Sequence, residues 1–474
     1  MADALNFGKI ELEALDRTEP PSFTLITQPT TIIITRVREE FEQEEVVIPF
    51  ERQTVKNESL PEGESLLVQP GENGLQQVTY RKLIENEVEV SRTVFKVETI
   101  KEARPEIVMV GIQSPFVPLE IPGRLAYLTA GNAWVIEGNT RQRRPIITTG
   151  DLDGRVFSLS PNREWLLFSR KSAEENEINT LWIINLNQEN AQPINLNVKN
   201  IIHFATWMPN RTATILYSTV EPRSTAPGWQ ANNDLRRLVF NGNGRIVRDE
   251  AIVETNAGGI YGWWGTNFHI SPDGEKIAFS RPDAVGMVNQ EEGSLETLLD
   301  LLPFQTRSDW AWVPGIEWSA DGQVLYLVYH APIGGVNDPE SSPLFDLNAY
   351  ILPSGPLVNL AQQTGMFAYP SISKETNPTW LAFLEAIFPE QSESSRYRLI
   401  TMQPDGSNRR VIFPSEGAAG LDPQKVVWSP TSSDGSATGF LGFVYQGNVW
   451  IVSTQDWQPR QVTGDNLITR IDWK

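Results

Sequence analysis

Short apolar stretches that end in a tight polar turn recur along most of the chain. The clearest example is HISPDGEKIAFSR at residues 269–281, where one apolar run ends at Ser-Pro-Asp-Gly and a second begins at once. This pattern predicts two antiparallel strands joined by a hairpin turn. The apolar residue before the turn recurs every 48 to 63 residues, at Leu159, Trp207, Ile270, Trp318, Ile372 and Trp428.

A third and usually a fourth apolar run follow each hairpin, so each unit predicts four antiparallel strands. A single unit of this kind cannot bury both of its faces, whereas units stacked around an axis bury them against one another. The intervals are too irregular for a solenoid with a constant rise. The pattern therefore predicts an all-β fold built around a β-propeller.

The two ends of the repeat region predict how the ring closes. Residues 124–150 (RLAYLTAGNAWVIEGNTRQRRPIITTG) supply a second, third and fourth strand with no first strand before them. The last nine residues, NLITRIDWK, form a lone first strand in which Ile471 and Trp473 align with the repeat. We expect the C-terminal strand to complete the first blade of a seven-bladed propeller. A six-bladed propeller is the alternative if the unit at 367–417 is an insertion.

Two turns carry a family resemblance. The SPDG turn followed by KIAFS, and MQPDGSNRRV at residues 402–411, resemble the TolB-like (WD40-like repeat) β-propeller family. The resemblance covers about 350 residues and is loose at 201–218. It implies a fold and a habit of binding, and it does not imply a reaction.

Residues 31–113 have a different pattern, in which Val, Tyr and Ile alternate with Arg, Glu and Lys over long runs such as VTYRKLIENEVEVSRTVFKVETI. This predicts a thin, elongated β-sheet domain with little core. The stretch resembles the five-glycine (G-five) domain through Gly63, Gly71, Gly74 and Gly111, with Glu87 in place of a turn glycine. The resemblance implies a bacterial exported or surface protein, and an affinity for polymers containing N-acetylglucosamine goes with it.

These patterns divide the chain into four parts. Residues 1–30 are an N-terminal extension or linker, 31–113 the five-glycine domain, and 125–474 the propeller. Residues 114–124 (SPFVPLEIPGR) contain three prolines and predict a stiff, extended connector.

Charge and composition exclude several classes of protein. The net charge of −20 has the wrong sign for neutralising nucleic-acid phosphates. No run approaches the length of a membrane span, although a signal or anchor upstream stays open. The absence of cysteine excludes disulfides and thiolate metal sites. With the five-glycine resemblance, the expected location is extracytoplasmic: secreted or at the cell surface.

Catalytic signatures are missing from the sequence. The three histidines show no zinc-binding spacing on a helix, and no Gly-x-Ser-x-Gly elbow is present. Asp151 and Asp153 offer too few oxygens for calcium and favour a loop turn. We therefore expect no metal and no cofactor, while a carboxylate pair suited to glycoside hydrolysis stays open because it depends on separation in space.

The long loops of the propeller are rich in aromatic residues interleaved with Asn, Asp and Arg. Because the second-to-third and blade-to-blade connections emerge on one face, these rings form a candidate ligand site: Trp229, Tyr261, Trp263, Trp264, Trp310, Trp312, Phe367 and Tyr369. Aromatic faces stack on sugar rings or peptide side chains, although the same rings could instead plug the channel mouth. The leading hypothesis is a non-enzymatic binding or scaffold protein for a cell-wall glycan or an envelope protein. The alternatives are a polysaccharide-active enzyme with carboxylates near the channel and a structural subunit of an envelope complex.

Overall fold

A computed structural model describes residues 2–57, 65–111, 116–332, 334, 338–373, 377–415, 417–431 and 439–474. The chain folds as two compact units, residues 1–55 with 63–110 and residues 56–62 with 111–474. Gly63 lies outside the described residues, and so do 114 and 115 of the expected connector. None of the helices in the described ranges has the length and apolar character needed to cross a bilayer.

The first unit is almost entirely β-structure. It contains a short helix and eight strands: α1 (Ala2–Phe7), β1 (Arg17–Glu19), β2 (Ile33–Thr35), β3 (Val37–Ile48), β4 (Arg52–Asn57), β5 (Ser65–Gln69), β6 (Gly74–Glu85), β7 (Val88–Lys101) and β8 (Glu106–Gly111). Strands β3, β6 and β7 form one three-stranded antiparallel sheet, and β4, β8 and β5 form another. Strands β1 and β2 form a separate pair.

Few side chains of this unit are buried, as the alternating pattern predicts. Val78 and Ile84 of β6 and Ile107 and Met109 of β8 are among the buried apolar residues. Strand β7 is exposed along almost its whole length. The β6–β7 turn places both Asn86 and Glu87 at positive φ, 47° and 69°. Glu87 thus adopts the left-handed conformation that a hairpin turn of this type requires, although glycine reaches it at lower cost.

The second unit contains β9 to β38, grouped in sheets of four strands that we number 1 to 7. Sheets 1 to 4 contain β9 (Glu120–Thr129), β10 (Asn132–Asn139), β11 (Arg143–Ile147), β12 (Leu152–Leu159), β13 (Trp165–Lys171), β14 (Asn179–Asn185), β15 (Ile194–Lys199), β16 (Ala205–Trp207), β17 (Thr214–Tyr217), β20 (Leu235–Phe240), β21 (Ile246–Val253), β22 (Asn267–Ile270), β23 (Ile277–Arg281), β24 (Ala284–Asn289) and β25 (Ser294–Asp300). A hairpin of β18 (Val220–Pro222) and β19 (Trp229–Ala231) is inserted between β17 and β20.

Sheets 5 to 7 and the last strand complete the unit. They contain β26 (Ile316–Trp318), β27 (Val324–His330), β28 (Phe345–Ile351), β29 (Leu357–Ala361), β30 (Ser371–Ile372), β31 (Leu381–Ala386), β32 (Tyr397–Met402), β33 (Arg410–Phe413), β34 (Val427–Trp428), β35 (Phe440–Tyr445), β36 (Asn448–Ser453), β37 (Pro459–Gln461) and β38 (Ile468–Trp473). Three 3-10 helices of the described residues lie in loops: Gly262–Trp264, Pro339–Ser341 and Pro389–Gln391.

Sheet 1 is built from both ends of this unit, in the order β11-β10-β9-β38. Ile471 pairs with Tyr127 and Trp473 with Leu125 in antiparallel register. The prediction that the C-terminal strand completes the first blade is confirmed. Strand β9 begins at Glu120, so the last five residues of the expected connector belong to the sheet.

The other six sheets each follow the chain in simple order, and the described residues thus contain seven four-stranded sheets in this unit. The region of 367–417, which the six-bladed alternative treats as an insertion, forms sheet 6 from β30 to β33. First strands contact one another around the ring, including β34 with β38 and β38 with β12. This arrangement is the β-propeller fold that the sequence predicts.

Alternating side chains bury both faces of each sheet. In β13, Leu166 and Phe168 pack toward sheet 1, whereas Trp165 and Leu167 pack toward sheet 3. Comparable clusters join each later sheet to the next, from sheet 3 through sheet 7. Full burial of each such side chain is worth about 1.5 to 3 kcal/mol, which explains why both alternate positions of the second strands are apolar.

The repeated tryptophans also join neighbouring first strands by hydrogen bonds. The Nε1 of Trp207 donates to the carbonyl oxygen of Ser158 at 3.0 Å, and that of Trp318 to His269 at 2.9 Å. The Nε1 of Trp428 donates to Ser371 at 3.1 Å. Each acceptor immediately precedes the apolar repeat residue of the preceding sheet. The repeat tryptophans therefore pack between neighbouring sheets.

Replacing Trp473 tests the closure of the ring. Its indole is 1% exposed, packs near Phe440 and donates to the carbonyl oxygen of Pro122 at 2.7 Å. We expect Trp473→Ala to lower the free energy of unfolding by about 3 to 5 kcal/mol, because a large cavity opens between sheets 7 and 1. Urea unfolding would measure this change.

The matched control is Val358→Ala, at a strand position that is 41% exposed. Its expected effect is about 0.5 kcal/mol or less. If both variants lost the same small amount of unfolding free energy, closure of the ring would not depend on Trp473.

Candidate functional site

A cleft of about 470 Å³ opens at the end of the propeller where the first strands begin. Its walls come from the blade-to-blade connections at 254–266, 301–315 and 362–370, and from the β18–β19 hairpin. These are two of the loop sets that sequence reasoning expects on one face. The described part of the chain therefore has a concave site at the loop-rich end of the ring.

Six of the eight predicted aromatic residues line this cleft. They are Trp229, Trp264, Trp310, Trp312, Phe367 and Tyr369. Tyr261 and Trp263 lie on the same 254–266 loop but are not among the lining residues. Trp312 is 1% exposed and donates its Nε1 to the carbonyl oxygen of Met366 at 2.9 Å, so its main contribution is to packing.

The accessible rings form two walls. On one side, the ring of Trp229 lies edge-on to His203, with centroids 4.6 Å apart. On the other side, Phe367 contacts Trp310 at 6.4 Å and stacks with Tyr369 at 5.9 Å. Both walls present half-buried rings, and half-buried rings keep a face available for a ligand.

Trp264 connects two of the loops. Its Nε1 donates to the carbonyl oxygen of Asp309 at 3.1 Å, one residue before Trp310 in the next connection. Thr306 donates its hydroxyl to the carbonyl oxygen of Trp310 at 2.5 Å. These bonds fix the loop backbone and hence the positions of the two indoles.

Asn233 anchors the 254–266 loop from below. It is 1% exposed, and its side-chain amide donates to the carbonyl oxygen of Gly262 at 2.8 Å. Its Oδ1 accepts the hydroxyl of Thr266 at 2.9 Å. A side chain at Gly258, where φ is +65°, would meet Asn233 at 2.4 Å. The loop that carries Trp264 is thus held by a satisfied buried polar network.

Histidines and cations lie at the base of the cleft. Burial lowers the pKa of His203 to about 4, with a contribution from nearby Arg155. Burial lowers the pKa of His269 to about 3, with a contribution from Lys425. Both imidazoles are therefore neutral near pH 7, because desolvation penalises the charged form.

Sequence reasoning missed the polar residues of the cleft, yet the repeat contains a signal for them. Asn267 and Lys425 each stand three residues before the apolar repeat position of their sheets, as do two other lining residues, Gly315 and the predicted Tyr369. Two more lining residues, Arg155 and His203, stand four residues before it. A first strand brings these positions to the same end of the ring in every sheet, so the repeat alignment could have found them.

The carboxylates on the first strands already have ion-pair or hydrogen-bond partners within the protein. Glu317 accepts from Lys425 Nζ at 2.7 Å, and Asp472 accepts from the backbone N of Leu159 at 2.7 Å. Asp151 pairs with Arg170, and Asp153 accepts from the amide of Asn179 at 2.7 Å. Among the described residues, no three His, Cys, Asp or Glu side chains are grouped as metal ligands. The GDLDG turn is thus tied to its own sheet.

Comparisons with known proteins agree with the fold. Residues 39–113 match the family described as the G5 domain, so the predicted five-glycine module is confirmed. No curated protein sequence is detectably similar to this chain.

Similar solved structures include both kinds of module. An IgA1 protease G5 domain is 28% identical over 17% of this chain and 94% of its own, with a TM-score of 0.14. A putative TolB from Agrobacterium tumefaciens is 14% identical over 62% of this chain and 89% of its own, with a TM-score of 0.35. A periplasmic gluconolactonase from Pseudomonas aeruginosa is 11% identical over 74% of this chain and 98% of its own, with a TM-score of 0.45. The neighbours thus include TolB-like and other β-propellers.

Acid should weaken the propeller through the two cleft histidines. The pKa of His269 is about 3 in the folded protein, against an ordinary value of 6.5, so the unfolded state binds more protons between these values. Stability is therefore full above pH 6.5 and falls as the pH decreases. This histidine alone should cost about 2 kcal/mol between pH 7 and pH 5.

The measurement is urea unfolding of the parent and of His269→Gln at about pH 7 and about pH 5. The variant should lose less stability than the parent over this interval. Equal losses would show that His269 does not keep a depressed pKa. Asp465 works in the opposite direction, because burial raises its pKa to about 6, and it is present in both proteins.

Proposed function

We propose that this chain is a non-enzymatic, extracytoplasmic binding protein whose aromatic cleft holds a cell-envelope glycan. The observation that carries the proposal is the gathering of Trp229, Trp264, Trp310, Phe367 and Tyr369 around one cleft. Sugar rings have apolar C–H faces and polar edges, so half-buried aromatic rings beside polar groups suit them.

The polar neighbours of these rings support the same ligand class. Asn267 and the neutral imidazoles of His203 and His269 line the cleft beside the indoles. Neutral groups of this kind donate and accept hydrogen bonds with hydroxyl groups without a net charge cost. Sugars carry many hydroxyls, whereas a purely apolar peptide side chain needs none of these partners.

The G5 domain supports an extracytoplasmic setting and a scaffold role. Residues 39–113 form an exposed module with little core, which suits display or attachment better than catalysis. The resemblance to five-glycine modules implies an affinity for polymers containing N-acetylglucosamine, which we include in the proposal. A wall-polymer contact by this module and ligand capture by the propeller would then act on the same chain.

Binding is preferred to hydrolysis because of the engaged carboxylates. A glycosidase needs one carboxyl that gives a proton and a second that acts as base or nucleophile. Glu317 is bound by Lys425, and Asp472 is bound by backbone and serine donors. Both are better placed to stabilise the ring than to react.

Binding of full-length protein to an immobilised glycan panel and to cell-wall polymer tests the proposal. Trp264→Ala combined with Trp310→Ala should weaken binding by about 10- to 100-fold, because stacking on two rings is lost. Trp263→Ala is the matched control, since it lies on the same loop but outside the cleft lining, and it should bind nearly as the parent does.

Two results would contradict the proposal. One is that no glycan binds, or that the double variant binds as tightly as the parent. The other is release of reducing ends during the incubation, which would favour the polysaccharide-active alternative. Capture of an envelope protein with no glycan binding would instead favour the structural-subunit alternative.

A further inference from the structure

The cleft contains two cations, although the whole chain is strongly acidic. The sequence has 59 acidic and 39 basic residues, a net charge of −20. Yet the residues that line the cleft include Arg155 and Lys425, and Asp309 is the one carboxylate among the described lining residues. A cationic side chain in a concave site attracts anionic ligands, most strongly where no carboxylate of the protein already neutralises it.

Arg155 is the freer of the two cations. It lies on strand β12, its side chain is exposed, and it forms no ion pair within the described ranges. It is close enough to His203 to help lower the pKa of that imidazole. An unpaired guanidinium presents a planar fork of N–H donors that fits a carboxylate in a bidentate way.

Lys425 is held in place by a partner beneath it. Its Nζ lies 2.7 Å from the Glu317 Oε2, and the Glu317 side chain is only 14% exposed while that of Lys425 is 54% exposed. Glu317 lies on the first strand of sheet 5, and Lys425 lies just before the first strand of sheet 7. The ion pair therefore joins two sheets that are not neighbours in the ring. The ammonium keeps further N–H donors beyond the one that it gives to Glu317, and more than half of the Lys425 side chain is exposed.

His203 supplies an unused polar atom at the same site. Its Nε2 is buried and has no hydrogen-bond partner in the described part of the chain. A side chain at Gly265 would come within 2.5 Å of this nitrogen, so the backbone of Gly265 packs closely against it. A buried polar atom without a partner is costly, so His203 adds to the polar character of the base of the cleft at some expense of stability.

We propose that the cleft selects acidic saccharides, with a uronic-acid carboxylate bound by Arg155 and Lys425 while the sugar ring stacks on the indoles. This inference rests on the proposed glycan-binding function and names its ligand class. The aromatic walls favour a saccharide over an acidic peptide, because the rings need a flat C–H face to stack on.

The test compares two probes that share the same sugar rings and differ at their carboxyl groups. Tetragalacturonic acid and its methyl ester have the same rings and hydroxyls, and only the acid has carboxylates. Titration calorimetry on the full-length protein should show tighter binding of the acid by about 10-fold or more. Raising the salt concentration should weaken binding of the acid and leave the ester unaffected.

Variants assign the effect to the two cations. Arg155→Gln and Lys425→Gln should each weaken binding of the acid by about 10- to 100-fold without changing the binding of the ester. Arg155→Lys keeps the charge and should retain part of the affinity. Arg211→Gln is the matched control, because Arg211 is an exposed arginine in the β16–β17 turn, which belongs to the opposite set of loops.

The outcomes separate this inference from the proposed function. Equal binding of acid and ester, with loss in Trp264→Ala, would overturn the acidic preference and keep the glycan site. Binding of neither probe, with no glycan bound in the panel, would overturn both. Binding of an acidic peptide in place of both probes would overturn the choice of a saccharide. Unchanged thermal unfolding of Arg155→Gln would show that a loss of affinity is not a loss of fold.

Discussion

The pairing of the last strand with the first sheet is the interaction on which the propeller depends. Strand β38 adds to β9 and becomes the innermost strand of sheet 1, so it contacts the first strands of sheets 7 and 2. Without it, sheet 1 would present an unpaired inner edge, and sheets 7 and 2 would each lose a packing surface. A ring of sheets removes such edges only when it closes completely.

The odd number of sheets interrupts the regular order of residues at the repeat position. From sheet 2 to sheet 7 the repeat position alternates between an aliphatic residue and a tryptophan, from Leu159 to Trp428. Each of these indoles donates to the sheet before it. An alternating order of aliphatic residue and tryptophan cannot be kept around a ring with an odd number of sheets. The break lies between sheets 7 and 1, which both have a tryptophan at the repeat position, Trp428 and Trp473. The indole of Trp473 donates its hydrogen bond to the carbonyl oxygen of Pro122 in its own sheet, and not to the preceding sheet as the other repeat tryptophans do.

The closed ring also creates the cleft. Because every first strand begins at the same end, residues three or four positions before the repeat tryptophan or aliphatic residue meet there. This brings Arg155 of sheet 2, His203 of sheet 3 and Lys425 of sheet 7 to one site, although more than 200 residues separate the first from the last. The long connections then add Trp264 and Trp310 above them. Scaffold and site thus share the same strands.

The sequence by itself determined the all-β class, the G5 module and the closing strand. Those features follow from local periodicity and turn residues, which act over a few positions, and from the register of Ile471 and Trp473 with the repeat. It also identified the aromatic loops, because loop length and composition are local. Only the tertiary structure decided that Trp264 lines the cleft while Trp263 beside it does not, and that Arg155 lies there unpaired while Lys425 binds Glu317. These features depend on which side chains from distant sheets approach one another within a few ångströms. The local sequence pattern contains no information about distances between residues that are far apart in the chain.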